Sequence, residues 1–157
     1  MASREKLAID YRVLADFRYE IRRFLNFSEQ AAREAGIEPH QHQALLAMKG
    51  LPAGRKATVG VLAERLQIQH HSAVELVNRL ERKGLIRRSR SGGDRREVLL
   101  SLTRRGERLL KDLTLTHRAE LRSAGPTLLR ALTAALGQSG RGGNSRKGKL
   151  RALRRVR

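Results

Sequence analysis

Four residues at helical spacing carry the most specific chemistry in this chain. His71, Glu75, Asn78 and Arg82 recur every three or four positions, so a helix brings them to one face. His71 can donate or accept, Glu75 can accept from cytosine N4, and Asn78 can pair bidentately with adenine. Val74 and Arg79 lie at the edges of this face, and Ser72 with the free N–H groups of the first turn suits a phosphate. The opposite face holds Ala73, Leu76, Val77 and Leu80 at i, i+3, i+4 and i+7, which must pack on a neighbouring helix. Taken alone, the helix is better explained by an ordinary amphipathic element with a solvated polar face.

A second cluster shifts that balance. Gly92-Gly93 permits a tight exposed tip, and Asp94-Arg95-Arg96 sets two guanidinium groups on it. An arginine held out in this way can lie in the narrow, negative minor groove of A·T-rich DNA. Asp94 would orient Arg96 by a charge-assisted hydrogen bond, limiting the rotamer entropy lost on binding. A solubilising basic turn accounts for the charge but not for the order of the elements around it.

Those elements can be read from periodicity and punctuation. Leu7, Leu14 and Ile21 are spaced by seven, and Phe17 and Phe24 fall three residues after Leu14 and Ile21, which predicts a long helix over 5–35 with an a/d seam. Gly36 ends it, Pro39 suits the first turn of a short helix over 39–49, and Gly50 stops that one. Thr58 is the expected N-cap of a helix carrying Val61, Leu62 and Leu66. After a turn at 67–69, a helix over about 71–83 has the capping-box spacing at Ser72 and Glu75 and ends at Gly84. Residues 85–90 and 97–102 read as two strands of a hairpin. Thr103 caps a further helix, Gly125-Pro126 is expected to break it, and Leu128, Leu129, Leu132 and Leu136 then give a last short helix. The expected fold is mainly α with a two-stranded β wing: a winged helix-turn-helix flanked by N- and C-terminal helices.

Composition agrees with this reading and narrows the function classes. The 157 residues include 34 Lys plus Arg against 15 Asp plus Glu, a formal net charge of +19, a strong physical preference for polyanions. The densest positive stretch of the body is 79–105, with ten basic residues and three acids. Residues 137–157 hold eight basic residues and no acid, which reads as a flexible cationic arm. All five aromatic residues lie before position 28, away from the basic stretch, so stacking on single-stranded nucleic acid is not expected. The chain has no Cys, which excludes a disulfide scaffold, a thiolate zinc site and a thiol switch. No apolar run reaches the ~18 residues of a membrane span, and the start does not resemble a signal peptide. A soluble, cytoplasmic, nucleoid-associated protein is expected, with no membrane partner. No nucleophile elbow, phosphate loop or carboxylate cluster appears, so no enzyme is expected.

The strings TVGVLAERL (58–66), LVNRLERKGLIRR (76–88) and DRREVLLSLTRRG (94–106) resemble the MarR family, the multiple-antibiotic-resistance regulators. The likeness covers roughly residues 7–136. It implies a dimeric winged helix regulator of bacteria, with Arg96 in the place of the minor-groove arginine, Asp94 supporting it, and His71, Ser72, Val74 and Glu75 where the family reads bases. The expected DNA-binding set is thus His70, His71, Ser72, Val74, Glu75, Asn78, Arg79, Arg82, Asp94, Arg95 and Arg96. Three departures bear on the operator: Gln67 stands where the family often has Gly, Glu75 where it often has Arg, and His70-His71 where Arg-Ser is common.

The seam and the later leucines are more apolar surface than one small domain needs. With the family likeness, they point to a homodimer built on Leu7, Leu14, Phe17, Ile21, Phe24, Leu110, Leu113, Leu121, Leu129 and Leu132. The domain expected is 1–136, with dimerisation helices at 5–35 and 103–136, the winged helix-turn-helix at 39–102, and the tail at 137–157. His40 and His42 point to different faces, His70 and His71 are adjacent, and His117 sits on a leucine stripe, so no pair has the i, i+4 spacing of a metal site. No metal or cofactor is expected, although His40 or His42 could face a ligand cleft. The expected function is a homodimeric transcriptional regulator that binds a pseudo-palindromic site in double-stranded DNA and responds to a small-molecule effector. The alternative is an architectural protein that coats DNA through charge alone.

Overall fold

The computed structural model describes residues 11–90 and 98–137. These form α1 (Tyr11–Glu34), α2 (Pro39–Lys49), α3 (Val59–Leu66), α4 (His70–Arg82), β1 (Ile86–Arg90), β2 (Val98–Leu102) and α5 (Arg104–Ala135). The fold is mainly helical with a two-stranded antiparallel wing, as the sequence predicts. Among the described residues no helix is long and apolar enough to cross a membrane.

Three helices end in the same way. Gly36, Gln67 and Gly84 adopt left-handed backbone (φ 81, 54 and 67°) after α1, α3 and α4. In each case the next N–H reaches back to a carbonyl five residues earlier: Ile37 to Ala32, Ile68 to Ala63 and Leu85 to Leu80. This is the Schellman arrangement, which satisfies carbonyls the helix leaves free and turns an apolar residue inward. Ile37 and Leu85 are buried and Ile68 is half-buried. Gln67 is the only described non-glycine residue with positive φ.

Helix starts are equally explicit. Pro39 opens α2 and the Glu38 N–H donates to Gln41 Oε1 at 3.0 Å. Thr58 caps α3 by accepting from Val61 N–H, and Thr103 caps α5 by accepting from Gly106 N–H at 3.1 Å. The Thr103 hydroxyl also donates to Gly84 O at 2.7 Å, fastening the start of α5 to the end of α4.

The core gathers under α2 and α4: Leu45, Val77, Leu80 and Leu85 are its largest fully buried side chains. β1 pairs with β2 from Ile86 opposite Leu102 to Arg90 opposite Val98, and the Leu100 N–H donates to Ala57 O at 2.8 Å, which binds the wing to the approach to α3. α1 and α5 pack along each other.

Three expectations need correction. Gly125-Pro126 does not break the last helix, and α5 runs unbroken to Ala135. Pro126 is exposed while Ala124, Thr127 and Leu128 are half-buried, so the ring faces solvent while neighbouring residues keep the helix packed. Ser72 does not cap α4, because the helix begins at His70 with Gln69 as N-cap and no side-chain cap bond. Leu110 and Leu113, expected between protomers, are buried in this chain's own core. The start of the expected long helix, with Leu7, lies outside the described residues, as do the wing tip with Asp94, Arg95 and Arg96 and the tail from residue 138 onward.

Candidate nucleic-acid interface

α3 and α4 form the helix-turn-helix, joined through Gln67, Ile68 and Gln69. The Gln67 turn sets the direction of α4, and Ala73, Leu76, Val77 and Leu80 anchor it by burial. With that face fixed, His70, His71, Glu75, Asn78, Arg79 and Arg82 are exposed, and Ser72 and Val74 are half-buried at its edges. The row read from the sequence is therefore brought together on one free helix face. A helix about 10–12 Å across fits the major groove with such a face turned to the bases.

The wing approaches this row from the side. Arg88 of β1 is half-buried and forks to two residues of α4: its Nη1 pairs with the Glu81 carboxylate, and its Nη2 donates to Asn78 Oδ1 at 2.6 Å. Across the wing, the Arg87 Nε donates to Ser101 Oγ at 3.1 Å. Arg88 was not among the residues expected at the site. Its sequence signal is an acid near the end of a helix, a glycine turn, and an arginine at the start of the following strand.

Other basic side chains brace the helix ends. Lys83 Nζ donates to Gly36 O at 2.9 Å, and an Arg105 guanidinium N–H donates to Lys83 O at 3.1 Å. Lys49 reaches Glu107 at 2.7 Å, joining the end of α2 to the first turn of α5 and holding the Glu107 carboxyl below its ordinary range.

Away from the reading face, α2, β2 and α5 border an open cleft of about 300 Å³. Leu102, Leu110 and Leu115 give it apolar walls, and Lys111 and Arg118 stand around it with Lys49, which is paired to Glu107 at the same edge. Such a cleft suits a small organic anion with an apolar body. The histidines are elsewhere. His40 is exposed, while His42 of α2 is buried against His117 of α5, with Phe24 and Phe27 edge-on to the His117 ring. Among the described residues no group of three potential metal ligands comes together.

Residues 35–97 match the family model described as MarR family. A Staphylococcus aureus MepR F27L mutant, solved bound to an oligodeoxyribonucleotide, is 22% identical; the match covers 83% of this chain and 98% of that one with a TM-score of 0.62. AbsC, a MarR family transcriptional regulator from Streptomyces coelicolor, is 19% identical over 87% of this chain and 95% of its own, with a TM-score of 0.67. BpsR of Bordetella bronchiseptica, whose DNA binding is regulated by 6-hydroxynicotinic acid, is 19% identical over 81% and 97%, with a TM-score of 0.59. No curated protein matches the chain significantly. The helix-turn-helix segment is thus similar to the MarR family, and the solved structures show the same fold over more than four fifths of the chain.

Proposed function

We propose that this chain is a homodimeric, sequence-specific DNA-binding transcriptional regulator that reads a pseudo-palindromic operator and responds to a small organic anion. One observation carries the reading: within a segment that matches the MarR family model, α4 keeps its apolar face buried and leaves His70, His71, Glu75, Asn78, Arg79 and Arg82 exposed. Side chains on such a helix read base edges, and the cations beside them hold phosphates and set register. Asp94, Arg95 and Arg96 supply the minor-groove contact in this reading.

Dimerisation is supported by apolar surface the protomer leaves uncovered. Leu14 is 55% exposed, Leu129 63% and Leu136 65%, with Leu121 and Leu132 also exposed and Phe17, Ile21 and Phe24 half-covered. A second protomer removes this surface from water and sets two reading helices about one DNA turn apart. The effector is assigned to the cleft beside Lys49, Leu115 and Arg118, where differential affinity for two head spacings would bias DNA binding.

The domain is assigned to residues 1–136, with 137–157 as a basic arm. Eight basic residues and no acid in that arm favour a second reading, a protein that coats DNA by charge. Removal of residues 138–157 separates the two. A regulator keeps its ratio of specific to random-sequence affinity and loses mainly salt-dependent background binding. Loss of most binding to every sequence supports the coating protein instead.

A further inference from the structure

Asn78 is not a free reader. A guanidinium has only donors, so the atom of Asn78 that Arg88 meets at 2.6 Å is the carbonyl oxygen. That bond is charge-assisted, and the same guanidinium is held from its other side by Glu81. Arg88 and Glu81 are both part-buried, whereas Asn78 is exposed. One lone pair of the amide oxygen is therefore engaged within the protein, and the group left wholly to a partner is the Nδ2 amine with its two N–H donors.

This changes what Asn78 recognises. A free asparagine suits adenine because it donates to N7 while accepting from N6. Its oxygen keeps a second lone pair, but the Arg88 cation that holds it disfavours the approach of a further donor such as adenine N6. Guanine presents two acceptors, N7 and O6, and thymine presents O4 beside a methyl group. We infer that Arg88, braced by Glu81, is a specificity-setting residue that biases Asn78 toward donating, and so toward reading guanine, in each half-site. The inference rests on the proposed reading of DNA by α4 and names one base within it. Glu75, one turn earlier on the same face, is acceptor-only when ionised and suits the cytosine amine, so neighbouring positions on α4 call for opposite hydrogen-bonding patterns.

The test selects bound duplexes from a random pool with the full-length wild type and with the Asn78→Ala, Arg88→Met and Glu81→Gln variants. The wild type is expected to enrich guanine at one position of each half-site by about tenfold over adenine, the scale of one good bidentate contact. Asn78→Ala loses that preference there and nowhere else. Arg88→Met releases the amide and moves the preference at that position toward adenine, leaving other positions unchanged. Glu81→Gln retains the side-chain shape, weakens the brace, and moves the same position in the same direction, which keeps the inference testable if Arg88→Met folds poorly. Adenine at the Asn78-dependent position in the wild type overturns the inference, as does an unchanged profile in folded Arg88→Met or Glu81→Gln protein. A wild type that enriches no site at all overturns the reading of DNA by α4 itself, an outcome distinct from the wrong base at one position.

Discussion

The rings of His42 and His117 lie with centroids 4.7 Å apart, tilted by 37°, where α2 of the winged helix meets α5. The His117 Nδ1 is 2.6 Å from Leu113 O, and a carbonyl only accepts, so Nδ1 carries the proton. In the neutral ring Nε2 is then an acceptor, and the Ser28 hydroxyl of α1 donates to it at 2.7 Å. His117 thereby ties together three helices, while the Nδ1 of His42 has no hydrogen-bond partner among the described residues.

Burial, with His117 beside it, lowers the His42 pKa from its ordinary 6.5 to about 4. The folded chain favours the neutral ring, so its stability is full above the unfolded pKa and falls as pH drops from 6.5 toward 4. The loss is about 3–4 kcal/mol at most, since each pKa unit is worth roughly 1.4 kcal/mol. Urea midpoints measured near neutrality and near the lower pKa check this, with His42→Phe expected to flatten the difference. An equally steep decline in that variant assigns the acid sensitivity to other groups.

Gly106 and Gly125 lie on the same helix and predict different outcomes. A Cβ at Gly106 would sit 2.0 Å from Leu85 O, whereas one at Gly125 meets nothing within 4 Å beyond its own helix and chain neighbours. Gly106→Ala is expected to cost about 3 kcal/mol or more, because backbone must move. Gly125→Ala is expected to be near neutral, because a helix-propensity gain of about 0.5–1 kcal/mol is offset by contact of the new Cβ with the Pro126 ring. Thermal unfolding of both variants decides the matter; a Gly106→Ala protein as stable as wild type contradicts the close approach of α5 to Leu85.

The turns after α3 and α4 also form a pair. Gln67 adopts φ 54° where Gly84 adopts 67°, and a side chain in that region costs roughly 1 kcal/mol or more. Gln67→Gly should therefore stabilise by up to about 1 kcal/mol after the added freedom of the unfolded chain is counted. Gly84→Ala should destabilise by about 1 kcal/mol. Chemical denaturation reads both, and destabilisation by Gln67→Gly would mean that the Gln67 side chain contributes more than the strain it brings.

Leu129 is 63% exposed in the protomer. Leu129→Lys should leave the melting of an isolated protomer within about 0.5 kcal/mol, as surface changes do. It should weaken self-association at least tenfold, since an unpaired charge would be buried between protomers. Sedimentation equilibrium measures the association, and an unchanged dimer constant removes Leu129 from the interface.

Much of the fold was legible because local chemistry and packing agree. Ala73, Leu76, Val77 and Leu80 announced the buried face of α4, Thr58 and Thr103 announced the starts of α3 and α5, and Pro39 the start of α2. Pro126 misled because its local cost is real, and only packing of α5 on α1 shows that the helix continues through it. Ser72 misled because the tight turn through Gln67 and Ile68 puts the N-cap of α4 three residues earlier, at Gln69. At the candidate site, the exposed row on α4 was readable from spacing. The grip of Arg88 on Asn78 was not, since it depends on how the wing folds back beside the helix. The His42–His117 contact escaped notice for the same reason, joining helices far apart in sequence.

Selection of bound duplexes from a random pool by the full-length protein tests the central claim most directly. The account predicts an inverted repeat whose half-sites are centred about one helical turn, roughly 10 base pairs, apart. Recovery of sequences no better bound than shuffled competitor, with affinity set by salt alone, would contradict it.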